Sequence, residues 1–451
     1  MAKISAFRGV RYDAARLDAG NLVCPPYDVI SDQQARHYRQ RSPYNAVHLE
    51  LPQPTAAHDD RYEAAAALLR EWLASGILRR DREPSLYLLE QAFRGPDGQQ
   101  RRRRGLLALL RLEDFSTRVV LPHEKTHAGP KEDRLRLLRA TRANVSPIFM
   151  LYSDPTDEVG AALAAAPPPP AQPTTVTDED GTVHRCTQLS GSVVDQVIGA
   201  LAAKRLYIAD GHHRYETALH YRDERRAAGD HSADETLVYL SSMDDPGLVV
   251  FPTHRLLKAV SLPSAQDVLA RLAPTFAVFL ERPDGTSGCR AMMSHMGSLS
   301  DSTKVFGLYF PRERTCATVE LRDPSAIARL VAEGMSPDLA HLPVTLLHSL
   351  ILGDALGLGP AQTEGKIDYV AGFDEALALL ETDSQYTLGA FLNPMPVADV
   401  RHVADRGETM PHKSTYFYPK PLTGLVFHVA SAVDETLPAP SSSPVVPKGH
   451  A

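Results

Sequence analysis

The densest group of reactive side chains is Asp210-Gly-His-His-Arg214, inside the stretch LYIADGHHRYETAL (206–219). A short apolar run stops at Asp210, a glycine follows, and two imidazoles and a guanidinium precede a pattern that reads as helix from about Tyr215 to Ala228. Strand, tight turn and helix in that order suit an anion. Gly211 permits a backbone conformation that other residues resist, and a helix start directs N–H groups and a positive dipole end back at the turn. Arg214 would grip a phosphate through two N–H groups, with His212 and His213 donating or accepting beside it. Asp210 would bind Mg²⁺ or accept a proton. A plainer reading stays open, in which Asp210 caps the helix and the imidazoles satisfy buried carbonyls.

Three other clusters carry polar groups. LPHEKTHAGPKEDRLRLLRATRANVSPIF (121–149) runs a His-Glu-Lys loop into a basic helix. Lys125, Lys131 and Arg134 there would neutralise phosphate charge, and Glu124 is a second candidate base or Mg²⁺ ligand; a charged helix with solvated faces is the plainer alternative. His123–His127 also matches the zinc pattern H-E-x-x-H, which needs both imidazoles on one helix face. Pro122 before it and Ala128-Gly-Pro130 after it break any such helix, so zinc is not expected. CPPYDVIS and SPYNAVHLE place Tyr27, Asp28 and Asn45 around proline-fixed turns, either to hold substrate or to shape a packed N-terminal layer. HKSTYFYPK (412–420) places Lys413, Ser414 and Lys420 among aromatics, as a substrate wall or an edge strand that packs its tyrosines. GETMPHKS (407–414) fails as a phosphate loop because His412 stands where a glycine must let the backbone wrap the phosphates. Neither G-x-G-x-x-G nor G-x-S-x-G occurs, which disfavours dinucleotide oxidoreductase and serine-hydrolase chemistry; no dinucleotide is expected, and no haem.

These residues need a scaffold, and 451 residues allow two or three domains. Strands are expected at 86–93, 105–112, 148–152, 206–209, 237–242, 248–251, 305–310, 316–321 and 388–392. Helices are expected at 60–76, 131–143, 325–333, 345–356 and 374–380. Arg101–Arg104 reads as a solvated loop and strand edge beside a hairpin connection. Composition shifts suggest an N-terminal α/β domain at 1–155 and a Pro-rich connection at 156–180. A DGHHR-containing α/β segment at 181–260, a C-terminal α+β domain at 261–430 and a disordered tail at 431–451 follow. Strands and helices that do not strictly alternate indicate an α+β or mixed α/β fold, mixed sheets flanked by helices. The net charge of −7 gives no long-range pull toward nucleic acid or anionic membrane. Four scattered cysteines, no signal-like N-terminus and no run of about 18 apolar residues point to a cytoplasmic protein.

CPPYDVIS, PYNAVHLELP, the 121–149 segment, YIADGHHRYETAL, SSMDDPGLVVFPTHRLL and MPHKSTYFYPKPLTGLVF, in that order, resemble domain-of-unknown-function family 1015 from about Ile4 to Phe427. ADGHHRYETA is also similar to the nucleotide-contacting segment of ParB-like and sulfiredoxin-like proteins, a superfamily that includes free serine kinases. That resemblance implies a nucleotide-binding core and phosphate-binding roles for Gly211, His212, His213 and Arg214. It does not imply sulfiredoxin-type thiol chemistry, because no cysteine lies in or beside the turn. The expected function is therefore an enzyme acting on a nucleotide or phosphorylated metabolite, most concretely a nucleotide-dependent kinase of a small hydroxy-metabolite. Mg²⁺ with ATP, ADP or another nucleotide would be its cofactor, and Asp210, Glu124, His212 and His213 its catalytic candidates. A phosphatase using the same turn, or a non-enzymatic nucleotide sensor, is the alternative. A homo-oligomer is left open.

Overall fold

A computed structural model describes residues 1–96, 98–126, 128–166, 172–299 and 303–430. His127, the four consecutive prolines and the expected disordered tail at 431–451 lie outside the described residues. Contacts divide the chain into two units. The first comprises residues 1–122, the described part of 126–248 and the described residues from Pro419 on; the second comprises 123–125 and 249–418.

Every apolar run expected as a strand between residues 86 and 242 enters one sheet of the first unit. Among the described residues it has nine strands: β1 (Ile4–Ser5), β2 (Leu86–Arg94), β3 (Gln100–Arg111), β4 (Val120–Leu121), β5 (Ile148–Tyr152), β6 (Thr174–Thr177), β7 (Val183–Leu189), β8 (Leu206–Asp210) and β9 (Glu235–Ser242). Their order is β4-β8-β5-β9-β3-β2-β7-β6, with β1 on β3. β2 and β3 form the expected hairpin, Arg94 opposite Gln100. β9 runs parallel to β5 while β8 runs antiparallel to it, so the sheet is mixed. Leu206–Ala209 is buried throughout, as a strand covered on both faces must be. The helices are α1 (Asp32–Arg41), α2 (Arg61–Ala74), α3 (Ala128–Thr141), α4 (Glu158–Ala164), α5 (Ser192–Ala202) and α6 (His212–Ala227). α5 lays Val193, Val197 and Leu201 on Leu106, Met150, Ile208 and Leu240 of one sheet face. Each such buried side chain contributes roughly 1.5–3 kcal/mol.

The division differs from the boundaries expected near 155, 180 and 260. β7, β8 and β9 pair with β2, β3 and β5, so the segment after the proline run completes the N-terminal core instead of starting a new one.

In the second unit, β10 (Val249–Phe251) pairs with β17 (Tyr416–Tyr418), and Phe251 stacks on both tyrosines. An antiparallel sheet is built from β11 (His254–Lys258), β12 (Phe276–Leu280), β13 (Val305–Phe310), β14 (Thr315–Leu321), β15 (Ile367–Val370) and β16 (Tyr386–Leu392), in the order β12-β14-β13-β16-β11-β15. Side-chain alternation gives it two cores. Leu257 and Leu308 face α7 (Ala265–Leu272), the π-helix Leu347–Ala355 and Leu330, while Leu256 and Tyr309 face α8 (Thr286–Ser298) and α9 (Phe373–Thr382). The helix expected at 345–356 is thus a short α-turn, Pro343–Leu346, running into π geometry.

Burial and the neighbouring Arg255 push His254 down to about 3 and His348 down to about 4; burial and Arg80 push His428 to about 4. These imidazoles stay neutral when folded, whereas the unfolded chain protonates them near pH 6.5. Between about pH 6.5 and 4 the unfolded state therefore binds more protons, and stability falls as pH falls. Urea unfolding at pH 7, 5.5 and 4.5 should show losses approaching about 2–3 kcal/mol per histidine. A midpoint that does not move over this range contradicts the neutral assignment.

No helix among the described residues is long and apolar enough to cross a membrane.

Candidate functional site

β8 ends at Asp210, and Gly211, at φ +92° and ψ 30°, turns the chain into α6. The helix begins at His212, three residues earlier than expected. The left-handed glycine completes the reversal in one residue, so His212, His213 and Arg214 occupy the first helical turn, whose N–H groups have no intrahelical carbonyl. An alanine at 211 would be strained at this φ and would place Cβ 2.9 Å from Arg214 Nε. Gly211→Ala should cost about 1–2 kcal/mol, measured as a lower urea midpoint; an unchanged midpoint would show that the turn tolerates a side chain.

Asp210 is held from two sides. Its Oδ2 lies 2.6 Å from Arg214 Nη2 and its Oδ1 lies 2.6 Å from Lys420 Nζ. Lys420 also reaches Asp28 Oδ2 at 2.5 Å. The side chains of Lys420 and Arg214 keep only 7% and 10% of their exposure, against 22% for Asp28 and 18% for Asp210. Two carboxylates and two cations therefore form one half-buried chain at the head of α6. Arg214 also donates through Nη1 to the Pro147 carbonyl. Burial alone would lower the Arg214 pKa, but Asp210, Asp28, Tyr27 and Glu50 together raise it, so it is a permanent cation.

Beside this chain, Glu50 (1% exposed) accepts from Tyr27 N and Ser146 Oγ, each at 3.0 Å, through Oε1. Its Oε2 and the Nε of Arg214 find no protein partner among the described residues. Both residues line a cavity of about 50 Å³ with Arg134, Asn144, Ser146 and Thr217, large enough for a water.

Lys420 is positioned from the sheet. Arg103 is fully buried, lies 4.7 Å above the Phe149 ring and 5.5 Å from that of Tyr239, and donates to Gln91 Oε1 at 2.6 Å and to the Pro419 carbonyl. Gln91 Nε2 in turn donates to the Lys420 carbonyl at 3.3 Å. The arginine run is thus not uniformly a solvated edge: strand alternation leaves Arg102 and Arg104 exposed and drives Arg103 inward.

The other expected residues divide clearly. Asp28 joins Asp210 and Arg214, and Tyr27 lies beside them, its hydroxyl pushed up to about 12 chiefly by burial. His212 is buried and His213 half-buried on the first turn of α6. Lys131 instead ties α3 to α6 through Glu216 Oε2 at 2.8 Å. Arg134 is spent on the Glu50 carbonyl, on Asp133 and on the Tyr27 ring 4.3 Å away, a packing role in place of the expected phosphate contact. Asn45 is fully buried, with its amide bonded to Asn21 O, Val23 O and Val47 N. Glu124, Lys125, Lys413 and Ser414 belong to the second unit. There Glu124 Oε1 accepts from Lys413 N at 3.0 Å and lies 2.9 Å from His412 Nδ1, Lys125 is exposed, and Ser414 donates to the Pro411 carbonyl. Residues 122–126 are not helical. Among the described residues no cluster of three or more His, Cys, Asp or Glu could hold a metal. Both Asp210 oxygens are already in ion pairs, so the expected Mg²⁺ role of Asp210 does not fit.

The sequence places Lys420 only in a substrate wall or edge strand and Arg103 only in a solvated edge, and neither reading anticipates their meeting near Asp210. The one signal for Lys420 was a lysine among aromatics after a proline.

A family model described as Protein of unknown function (DUF1015) matches residues 4–345, beginning where the motifs predict and ending before the motif at 410–427. No curated protein matches the chain in sequence. Among solved structures, the chain is similar to a conserved hypothetical protein from Pyrococcus furiosus, with 12% identity and a TM-score of 0.32 over 70% of this chain and 93% of that one. A mutant of free serine kinase in complex with ADP matches at 12% identity and a TM-score of 0.35, over 70% of this chain and 90% of that one. SbnI with a C-terminal truncation, from Staphylococcus aureus, matches at 11% identity and a TM-score of 0.33, over 71% and 86%.

Proposed function

This chain belongs to the DUF1015 family, and from that premise we propose that it is an enzyme acting on a nucleotide or phosphorylated metabolite, most concretely a nucleotide-dependent kinase of a small hydroxy-metabolite. The supporting observation is the Asp28–Lys420–Asp210–Arg214 chain set directly at the start of a 16-residue helix. Phosphoryl transfer requires charge neutralisation and in-line positioning more than covalent chemistry. The phosphates would lie on the first turn of α6, where helix N–H groups and the dipole favour negative charge, with His212 and His213 beside them. Lys420 and Arg214, already fixed by two carboxylates, would be drawn to the incoming anion. Asp210 then orients both cations. In the reaction the terminal P–O bond of the donor breaks, a new P–O bond forms to the acceptor oxygen, and the hydroxyl proton passes to a carboxylate. Asp210→Asn and Asp28→Asn, assayed separately, assign that proton acceptor.

Thermal-shift titration with ATP, ADP and CTP, followed by mass-spectrometric product detection with serine and other hydroxy-metabolites, tests this function. A ligand at a hundred times its Kd adds about 2.7 kcal/mol, a rise of roughly 5–10 °C. Stabilisation with product supports a kinase. Stabilisation without turnover makes the protein a nucleotide sensor, and release of inorganic phosphate alone makes it a phosphatase. No stabilisation by any nucleotide or phosphorylated metabolite overturns the phosphate site.

A further inference from the structure

The SSMDDPG motif (241–247) and the exposed arginines of β3 take no part in the proposed phosphate site, yet they meet on the sheet face that packs α4. There the first unit holds a cavity of about 680 Å³. Its floor is basic. Arg102 and Arg104 stand two residues apart on β3, side chains on one face and about 7 Å apart along the strand. In register beside them run Glu90 on β2 and Arg185 on β7. Its rim is acidic, formed by the turn after β9 and the start of α4.

The rim acids are not equivalent. Asp154 is committed to Lys204 at 2.8 Å and to Val159 N at 3.0 Å, and Asp245 to Arg104 N and Gly247 N. Asp157 and the guanidinium groups of Arg102 and Arg104 make no ion pair among the described residues. Asp157 sits at φ +52°, and its carboxylate covers Gly160 so closely that a Cβ there would lie 2.1 Å from Oδ1. Asp244 uses Oδ2 to hold Asp154 N at 2.6 Å. The wall is closely packed: a Cβ on Gly247 would lie 1.9 Å from the Arg102 carbonyl oxygen, and Ser241 Oγ donates to the Arg104 carbonyl at 2.9 Å. Leu106, Val159 and Leu163 also line the cavity.

We propose that this cavity binds a small aliphatic zwitterion, an α-amino acid or dipeptide. Its carboxylate rests on Arg102 and Arg104, its ammonium points toward Asp157 and Asp244, and its aliphatic body lies on Leu106, Val159 and Leu163. A polyphosphate is disfavoured because Asp157 and Asp244 would repel it.

Calorimetric titration of the full chain with the aliphatic amino acids and their dipeptides tests this, with isocaproate and isoamylamine as leucine analogues lacking the ammonium or the carboxylate. At least one zwitterion should bind, both analogues should bind about tenfold or more weakly, and Arg102→Gln with Arg104→Gln should abolish binding. Asp157→Asn should weaken the zwitterion but leave isocaproate unchanged. The substituted side chains are exposed, so apo melting should be preserved, and ATP binding at the Asp210 turn should not change. The zwitterion site is overturned if no member of the panel binds at millimolar concentration, if the analogues bind as well as the zwitterion, or if the arginine variant binds normally.

Discussion

Replacing Lys420 by methionine is expected to destabilise the first unit by about 3 kcal/mol and to weaken nucleotide binding about thirtyfold or more. The Lys420 ammonium lies within 2.6 Å of both Asp28 and Asp210, and its side chain is 7% exposed. Methionine retains the stem's volume but leaves two carboxylates facing each other without the cation that separates them. Removing one partner from a buried ion pair costs about 3–5 kcal/mol. The lower end applies because both carboxylates keep about a fifth of their exposure and water screens them. The single tryptophan, Trp72, is buried in the first unit, so its fluorescence in a urea titration reports that unit's unfolding. Lys420→Arg restores the charge but not its compact shape, and should recover most of the stability and only part of the binding. A methionine variant with wild-type midpoint and affinity would remove Lys420 from the site.

Arg103→Met should cost a similar amount, about 3 kcal/mol, for a different reason. Its guanidinium satisfies Gln91 Oε1 and the Pro419 carbonyl between two aromatic rings. A buried acceptor stripped of its donor costs about 1–3 kcal/mol, and the lost cation–π contacts add about 1 kcal/mol. Because Arg103 and Gln91 hold the backbone of residues 419–420, loosening it should also weaken ATP binding roughly tenfold at saturable concentrations. Loss of stability with unchanged affinity would show that Arg103 packs the core without positioning Lys420.

These two residues also mark where sequence reading stopped. The strand–glycine–helix at 206–227 was legible because its signals are local: an apolar run, a glycine and a helical pattern. Its helix start was misplaced by three residues because Gly211 completes the turn alone. The arginine run resisted because four identical residues conceal an alternation whose meaning depends on Phe149, Tyr239 and Pro419, all distant in sequence. Lys420 resisted for the same reason, since its partners come from the N-terminal turn and from the end of β8. Arg134 and Asn45 carried the right chemistry for a site but spend their polar atoms inside the fold, which composition cannot reveal. The domain boundaries were obscured because β7 to β9 return to a sheet begun at residue 4.

The most direct test of the phosphate site is isothermal titration of ATP into wild type, Lys420→Met and Arg214→Ala, with Arg102→Gln/Arg104→Gln as a control. Binding to wild type and control, with a loss of about thirtyfold or more in the two site variants (about 2 kcal/mol), is the expected result. Equal affinity in all four proteins, or no heat with wild type at millimolar ATP, would contradict a nucleotide phosphate site at the head of α6.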